Sequence, residues 1–247
     1  MFKIGLFDSF KKNSQIKKAY NLINEHKYQE ALKCYNEIIE TDLHYTDAWY
    51  GKGVVLQRLE KCNDALEAYD KALELDPNYI DVWYNKGVLL GELGKYHEAL
   101  KAYDKVLELD PNHVEVWYNK GVILGKLGKH RKALEAYDKA IEIYDFMASK
   151  STISKALELD PTYIKALHNK GTVYGVLGKD QEALNCFDKE VMLDPNSIGA
   201  WYSKGIALKY LNRVQEALES FDKALELDPD LELALNAKKE ILESKKQ

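Results

Sequence analysis

The side chains that most often carry out chemistry, those of histidine and cysteine, are scattered along this chain of 247 residues. No two histidines stand at i and i+4, the spacing that places two imidazoles on one helix face as metal ligands. The cysteines are far apart and form no C-x-x-C pair, so a zinc site is not indicated. These residues are His26, His44, His97, His113, His130 and His168, with Cys34, Cys62 and Cys186. We therefore predict no metal and no other cofactor.

The remaining signs of catalysis are also missing from the sequence. Asp and Glu are spread as helix-surface partners of lysine, as Glu98 is for Lys101. The glycines of "GVLLGELGK" follow no predicted strand, so they do not form a phosphate-binding loop. The sequence has no nucleophile elbow either. We predict that the protein is not an enzyme.

Composition and charge narrow the class of partner. The net charge is −5, without the basic surplus of a nucleic-acid-binding protein. No apolar run approaches the roughly 20 residues that cross a bilayer, and the cysteine pattern favours a reduced, cytoplasmic compartment.

The N-terminus, "MFKIGLFDSFKK", is expected to be a tail or a short helix packed on the chain. The alternative is a weak membrane contact, carried by Phe2, Ile4, Leu6, Phe7 and Phe10.

A fixed period organises the chain. The seven residues "VWYNKGV" occur at 82–88 and again at 116–122, which is 34 positions later. Trp49, Trp83 and Trp117 are spaced by the same 34 residues, and so are most of the prolines. One step, from Pro111 to Pro161, is 50 residues long, which indicates a 16-residue insertion. Such a period is typical of repeat architectures.

Each repeat reads as two helices joined by a tight turn. We number the unit from Ile80 to His113 as positions 1 to 34. Gly94, at position 15, is expected to close the first helix in a left-handed conformation, and Pro111 ends the second. Small residues at Gly87 and Ala99 let the two helices approach closely. One hairpin cannot bury its apolar face alone, so we predict a stack of hairpins.

This pattern resembles the tetratricopeptide repeat (TPR) family, with a large residue at position 4, Gly at 8, Ala at 20, an aromatic residue at 24, Ala at 27 and Pro at 32. The predicted fold class is all-α, an α-solenoid or right-handed superhelix of stacked antiparallel helix hairpins. Position 7, often leucine in the family, is lysine throughout, and we expect its amine to lie in water. These lysines are Lys52, Lys86, Lys120, Lys170 and Lys204.

The predicted organisation begins with a tail (1–11) and a degenerate first repeat (12–45). Repeats two to six span 46–79, 80–113, 114–163, 164–197 and 198–231, and a capping helix follows at 232–247. The insertion, near 141–156, either extends one long helix or breaks near Ser149–Thr152, where Ser and Thr favour caps. We expect Tyr144, Phe146 and Met147 to pack on a neighbouring repeat.

The resemblance implies that positions 2, 5, 6, 9, 12 and 13 of the first helices line a concave groove. Tyrosine recurs there as a rigid wall, and asparagine recurs as a side chain that can pair with any peptide bond. We predict a peptide-binding site made of Tyr50, Tyr84, Asn85, Val88, Tyr118, Asn119, Val122, His168, Asn169 and Tyr202. Residues copied by repeat duplication for ordinary packing are the alternative interpretation.

The chemistry of the groove limits its ligand. The family's carboxylate clamp, which holds C-terminal tails, needs a lysine at position 5 and an asparagine at position 9, and here these are tyrosine and valine. Acidic residues at position 2, namely Asp47, Asp81 and Glu115, favour a neutral or basic peptide. The predicted function is a scaffold that binds a protein or peptide. The alternative is a subunit of a larger complex that self-associates through the insertion or the solenoid ends.

Overall fold

The computed structural model describes residues 14–150 and 160–244, which form thirteen α-helices and contain no strand. This confirms the predicted all-α fold class. The chain divides into two compact units, called unit 1 (up to Pro111) and unit 2 (from Asn112). The helices are α1 (14–24), α2 (Tyr28–Thr41), α3 (Thr46–Arg58), α4 (Cys62–Leu75), α5 (Ile80–Glu92), α6 (Tyr96–Leu109), α7 (Val114–Lys126), α8 (His130–Lys150), α9 (Pro161–Val176), α10 (Asp180–Leu193), α11 (Ile198–Tyr210), α12 (Val214–Leu227) and α13 (Glu232–Ser244).

Consecutive helices pair into hairpins through short turns. Gly94 adopts a left-handed φ of 73° between α5 and α6, as the sequence predicted. The next amide, that of Lys95, donates to the carbonyl of Leu90 at 2.8 Å, so the helix end is closed by a hydrogen bond. Glu60 and Asn212 adopt the same conformation with φ 59°. The geometry of the turn is therefore kept where glycine is absent.

The core of the five hairpins from α3 to α12 is a glycine set against an aromatic ring. A Cβ added to Gly87 would lie 2.5 Å from Cε1 of Tyr103, which is closer than any real contact. Gly121 faces Tyr137 at the same 2.5 Å, and Gly205 faces Phe221. The rings are buried, so they cannot move into solvent to make room. In these hairpins a side chain at this position would keep the aromatic ring of the second helix from reaching the first helix.

The repeated lysine at position 7 has an acidic partner that the sequence analysis did not foresee. Lys86 lies over the Trp83 ring, 5.4 Å from its centroid, and forms an ion pair with Asp70 of the preceding repeat. In unit 2, Lys204 lies 5.2 Å from the centre of the Trp201 ring and 2.8 Å from the Asp188 carboxylate. The amine stays at the surface, and the second helix of the preceding repeat brings an aspartate to it.

The insertion is partly described. Helix α8 continues without interruption to Lys150, and residues 151–159 lie outside the described part of the chain. The choice between a continuous helix and a break near Ser149–Thr152 therefore stays open. Helix α9 begins at Pro161 with Asp160 as its N-cap, whose carboxylate accepts from the Thr162 amide at 2.7 Å.

The three large apolar residues of the insertion differ in how far they are buried. Tyr144 is buried and meets the ring of Tyr163 edge to face at 5.4 Å, as predicted. The expectation that Phe146 and Met147 also pack on a neighbouring repeat was wrong, since they are 58% and 44% exposed. Phe146 follows Tyr144 by two residues, about 200° around the helix axis, which turns it away from the buried face.

Helix α13 packs on the last hairpin of unit 2. Ala234, Ala237 and Ile241 are buried in one apolar cluster with Phe221, and Lys238 pairs with Asp222 in the same way as the repeat lysines. Its outer face carries exposed leucines in addition to the expected Lys and Glu: Leu233, Leu235 and Leu242. The predicted tail at 1–11 lies outside the described residues.

Candidate binding site

All ten predicted groove residues lie on the first helices of hairpins. Unit 1 holds four of them, on α3 and α5, and unit 2 holds six, on α7, α9 and α11. Every one is half-buried, with part of its side chain open to solvent. Within each unit, residues at i, i+3 and i+4 share one helix face. The structure therefore places these side chains in surface rows, one row on each first helix.

The asparagines are hydrogen-bonded to tyrosines of the preceding repeat. In unit 1 the Asn85 amide donates to the Tyr50 hydroxyl at 2.9 Å. In unit 2 the Asn169 amide donates to the Tyr118 hydroxyl at 3.3 Å. Each bond uses one amide hydrogen, and an asparagine has a second hydrogen and a carbonyl oxygen for further partners. The bond therefore fixes the orientation of the amide and keeps the rest of its bonding capacity.

Burial has a consequence for the two tyrosine hydroxyls. It raises the pKa of Tyr50 and of Tyr118 above the ordinary value of a phenol, and the amide bond offsets only part of this rise. Both hydroxyls are therefore protonated at neutral pH. The sequence interpretation missed this pairing, although its signal is present: a tyrosine at position 5 is followed by an asparagine at position 6 of the next repeat.

Ring contacts hold the tyrosines in place. The Tyr50 ring lies 5.3 Å from the Tyr79 ring, centre to centre, and the Tyr118 ring lies 6.2 Å from the Tyr137 ring. The Tyr79 hydroxyl donates to Asp47 at 3.0 Å, so one of the position-2 acids is already engaged. Such packing reduces the rotamer freedom that a ligand would otherwise have to remove on binding.

Where the first helices α3, α5, α7 and α11 have tyrosine at repeat position 5, α9 of unit 2 has His168. Its Nδ1 lies 3.0 Å from Oε2 of Glu190, whose side chain is only 4% exposed, while His168 itself is 33% exposed. Ser197 donates its hydroxyl to the same carboxylate at 3.2 Å. Glu190 stands at position 27, where the neighbouring repeats have alanine or valine. That exception in the repeat pattern is the signal that sequence reasoning missed.

This trio is not arranged for nucleophilic catalysis. Activation of a serine requires its hydroxyl to face the imidazole that removes its proton, and here Ser197 faces the carboxylate instead. Ser197 also accepts from the Ala200 amide at 3.2 Å, as the N-cap of α11. The cysteine nearest to this site, Cys186, has its thiol pKa raised by burial to about 11, so it is protonated at neutral pH.

A cavity of about 370 Å³ opens beside the rows of unit 2, between α9, α10 and α11. Its walls include Phe187, Ala183, Ile206 and Ala207, and its only charged lining residue is Asp180. Surface grooves of about 510 Å³ beside Trp83 and about 450 Å³ beside Trp201 are larger. They are lined mostly by Lys, Glu and Asp of second helices, and a fully solvated charged surface gives little binding free energy. The smaller cavity is the better candidate site.

Two classes of site are not found in the described part of the chain. Residues 14–150 and 160–244 contain no cluster of three His, Cys, Asp or Glu that could hold a metal ion. None of the described helices combines the length and the apolar character that a membrane span requires.

Comparison with known proteins identifies the family. Two models, both described as "Tetratricopeptide repeat", match residues 46–79, 80–113, 114–145 and 199–231, and residues 164–197. The comparison with curated protein sequences found no match.

Solved structures share the fold. YrrB, "a TPR protein with an unusual peptide-binding site", is 28% identical with a TM-score of 0.68, over 83% of this chain and 97% of YrrB. MamA from Desulfovibrio magneticus RS-1 is 24% identical with a TM-score of 0.64, over 75% and 96% of the two chains. PilF of Pseudomonas aeruginosa is 17% identical with a TM-score of 0.72, over 94% and 99%. With family models matching most of its length, the chain belongs to the tetratricopeptide repeat family.

Proposed function

We propose that this protein is a non-catalytic scaffold that binds an extended segment of another polypeptide against the first-helix rows. The observation that carries the proposal is the asparagine–tyrosine bond, which recurs at the same repeat positions in unit 1 and in unit 2. An amide held in one orientation can meet a peptide bond without first losing rotamer freedom. The half-buried tyrosines beside it supply rigid contact area. The location of this activity in the cytoplasm stays a prediction.

One protein of similar structure supports the proposal. YrrB is described as having an unusual peptide-binding site, and the proposal extends a peptide-binding role to this chain. The acidic residues Asp47 and Asp81 on the rows of unit 1 favour a neutral or basic segment there. On α9 the corresponding residue is Lys165, so the rows of unit 2 are less acidic than those of unit 1.

The proposal predicts a measurable loss of binding when the amides are removed. Peptides would be selected against the whole protein from a random library, and their affinity would be measured by fluorescence anisotropy. Asn119→Ala together with Asn169→Ala in unit 2, or Asn85→Ala in unit 1, is expected to weaken the peptides that bind the affected unit. The expected loss is about 2- to 10-fold per amide, since a hydrogen bond contributes about 0.5–1.5 kcal/mol.

The control is Asn63→Ala, since Asn63 is exposed on the second helix α4, away from the rows. Its affinity should equal that of the unchanged protein. Tyr118→Phe separates the orientation of the amide from its presence, because it removes only the hydroxyl that Asn169 contacts. Unchanged affinity in all of the row variants would overturn the proposal, provided that circular dichroism shows them to be folded.

A further inference from the structure

We propose that the cavity between α9, α10 and α11 receives one aromatic or long aliphatic side chain of the bound segment, with a lysine or arginine beside it. This inference rests on the proposed function, and it adds the chemistry of the residue that anchors the segment in unit 2. The cavity of about 370 Å³ lies at the lower end of the roughly 300–1,000 Å³ range of ligand pockets. It therefore suits a side chain better than a whole cofactor.

The equivalent place in unit 1 is occupied by the protein's own side chains. The Tyr69 hydroxyl donates to Gln57 at 3.0 Å, and the Gln57 amide donates to the Glu92 carboxylate at 3.3 Å. These residues stand at positions 24 and 12 of one repeat and position 13 of the next. The chain of two hydrogen bonds crosses from α4 over α3 to α5, so polar groups cover the space between the neighbouring first helices.

Unit 2 has a different residue at each of these three repeat positions. Phe187 stands at position 24 and has no hydroxyl, and Gly175 stands at position 12 and has no side chain. Tyr210 takes the place of the glutamate at position 13 and is 71% exposed. A Cβ added to Gly175 would meet nothing within 4 Å, which shows that the space is open. In unit 1, hydrogen-bonded polar side chains fill the space between the neighbouring first helices. In unit 2, the same space is an apolar cavity.

The lining of the cavity determines which side chain fits. Phe187, Ala183 and Ala207 are buried and apolar, and Ile206 completes the wall. Burying an apolar group there removes it from water at about 25 cal/mol per Å², whereas a charged group would lose its hydration without a partner.

The rim of the cavity determines which residue fits next to the anchor. Asp180 is the one charged lining residue, and it lies in the first turn of α10, where the helix dipole offsets part of its charge. An acidic residue is therefore disfavoured at the mouth, and a basic one is favoured. Tyr202 and Tyr210 provide aromatic edges over which the stem of a lysine or arginine can lie.

Three capped model peptides of Gly and Ser test the inference. They carry Phe-Lys, Ala-Lys or Phe-Glu at their centre. We expect the Phe-Lys peptide to bind the whole protein at least five-fold more tightly than either of the others. Gly175→Gln restores the side chain that unit 1 uses, so it should abolish the advantage of Phe over Ala. Asp180→Asn should reduce the advantage of Lys over Glu and leave that of Phe intact.

The control is Asn63→Gln, which introduces the same side chain elsewhere. Asn63 is exposed on the second helix α4, away from the rows, and does not line the cavity. It should leave all three affinities unchanged. If Gly175→Gln binds the Phe-Lys peptide as tightly as the unchanged protein does, the cavity is not the anchor and the inference is overturned.

A second probe separates failure of the cavity from failure of the groove. Phenethylammonium carries an aromatic ring and a cation but no peptide bond, and its binding is followed by amide chemical shifts. Shifts at Gly171, Gly175 and Ile206 that disappear in Gly175→Gln support the cavity even if no peptide binds the rows. An absence of these shifts overturns it, and the Asn119→Ala and Asn169→Ala comparison then tests the proposed function alone.

Discussion

His168→Phe alone is expected to lower the free energy of unfolding by about 3 kcal/mol, the upper end of the cost of leaving a buried hydrogen-bonding group without its partner. The substitution keeps an aromatic ring over Phe187, which lies 5.6 Å from the imidazole, but removes the hydrogen-bond partner of Glu190. That carboxylate is almost fully buried and would keep only the Ser197 hydroxyl. Urea unfolding followed by circular dichroism measures the change.

Removing both partners should restore most of the stability. His168→Phe with Glu190→Ala removes the buried carboxyl group together with its partner, and alanine is already the residue at this position in neighbouring repeats. Glu190→Ala alone should cost about 1 kcal/mol, because the partly exposed imidazole can turn to water. An additive loss in the double variant would show that the two side chains do not interact.

Gly121→Ala is expected to destabilise the protein by about 1–3 kcal/mol, the usual cost of adding a methyl group to a filled core. The new Cβ would lie 2.5 Å from Cε1 of Tyr137 and 2.7 Å from its Cδ1. Tyr137 is buried and cannot swing away, so the two helices of the hairpin must separate. The measurement is again the free energy of unfolding in urea.

The chain supplies a matched control one turn along the same helix. Gly125→Ala places its Cβ in open space and should stabilise α7 by about 0.5–1 kcal/mol, since alanine is the better helix former. The two changes are chemically identical, so a difference of sign isolates the contact with the ring. A gain of stability in both variants would contradict the glycine–aromatic packing.

The repeating parts of the fold can be predicted from the residues of a single hairpin. Gly94 closes its helix in the predicted left-handed conformation, and the approach of the paired helices at Gly87 follows from small residues facing large ones. The same alternation places Tyr84 and Asn85 on a first helix, half-buried at its surface. Each of these predictions depends on neighbours within one hairpin, which the 34-residue period makes visible.

The features that the sequence analysis missed depend on contacts and orientations that the 34-residue pattern does not show. The partner of Lys86 is Asp70, which belongs to the second helix of the preceding repeat, and a single repeat cannot show it. Phe146 is exposed because it stands two residues after the buried Tyr144 and therefore on the other side of α8. Glu190 was overlooked because its burial depends on the hydrogen bond to His168, which lies on a different helix.

The central claim is that another polypeptide binds to the first helices. Its most direct test is the pattern of amide chemical-shift changes in the labelled whole protein when a peptide selected from a random library is added. The account predicts that the changes concentrate on α3 and α5 in unit 1, or on α7, α9 and α11 in unit 2. Changes confined to the outer faces of second helices such as α6 and α12 would contradict it.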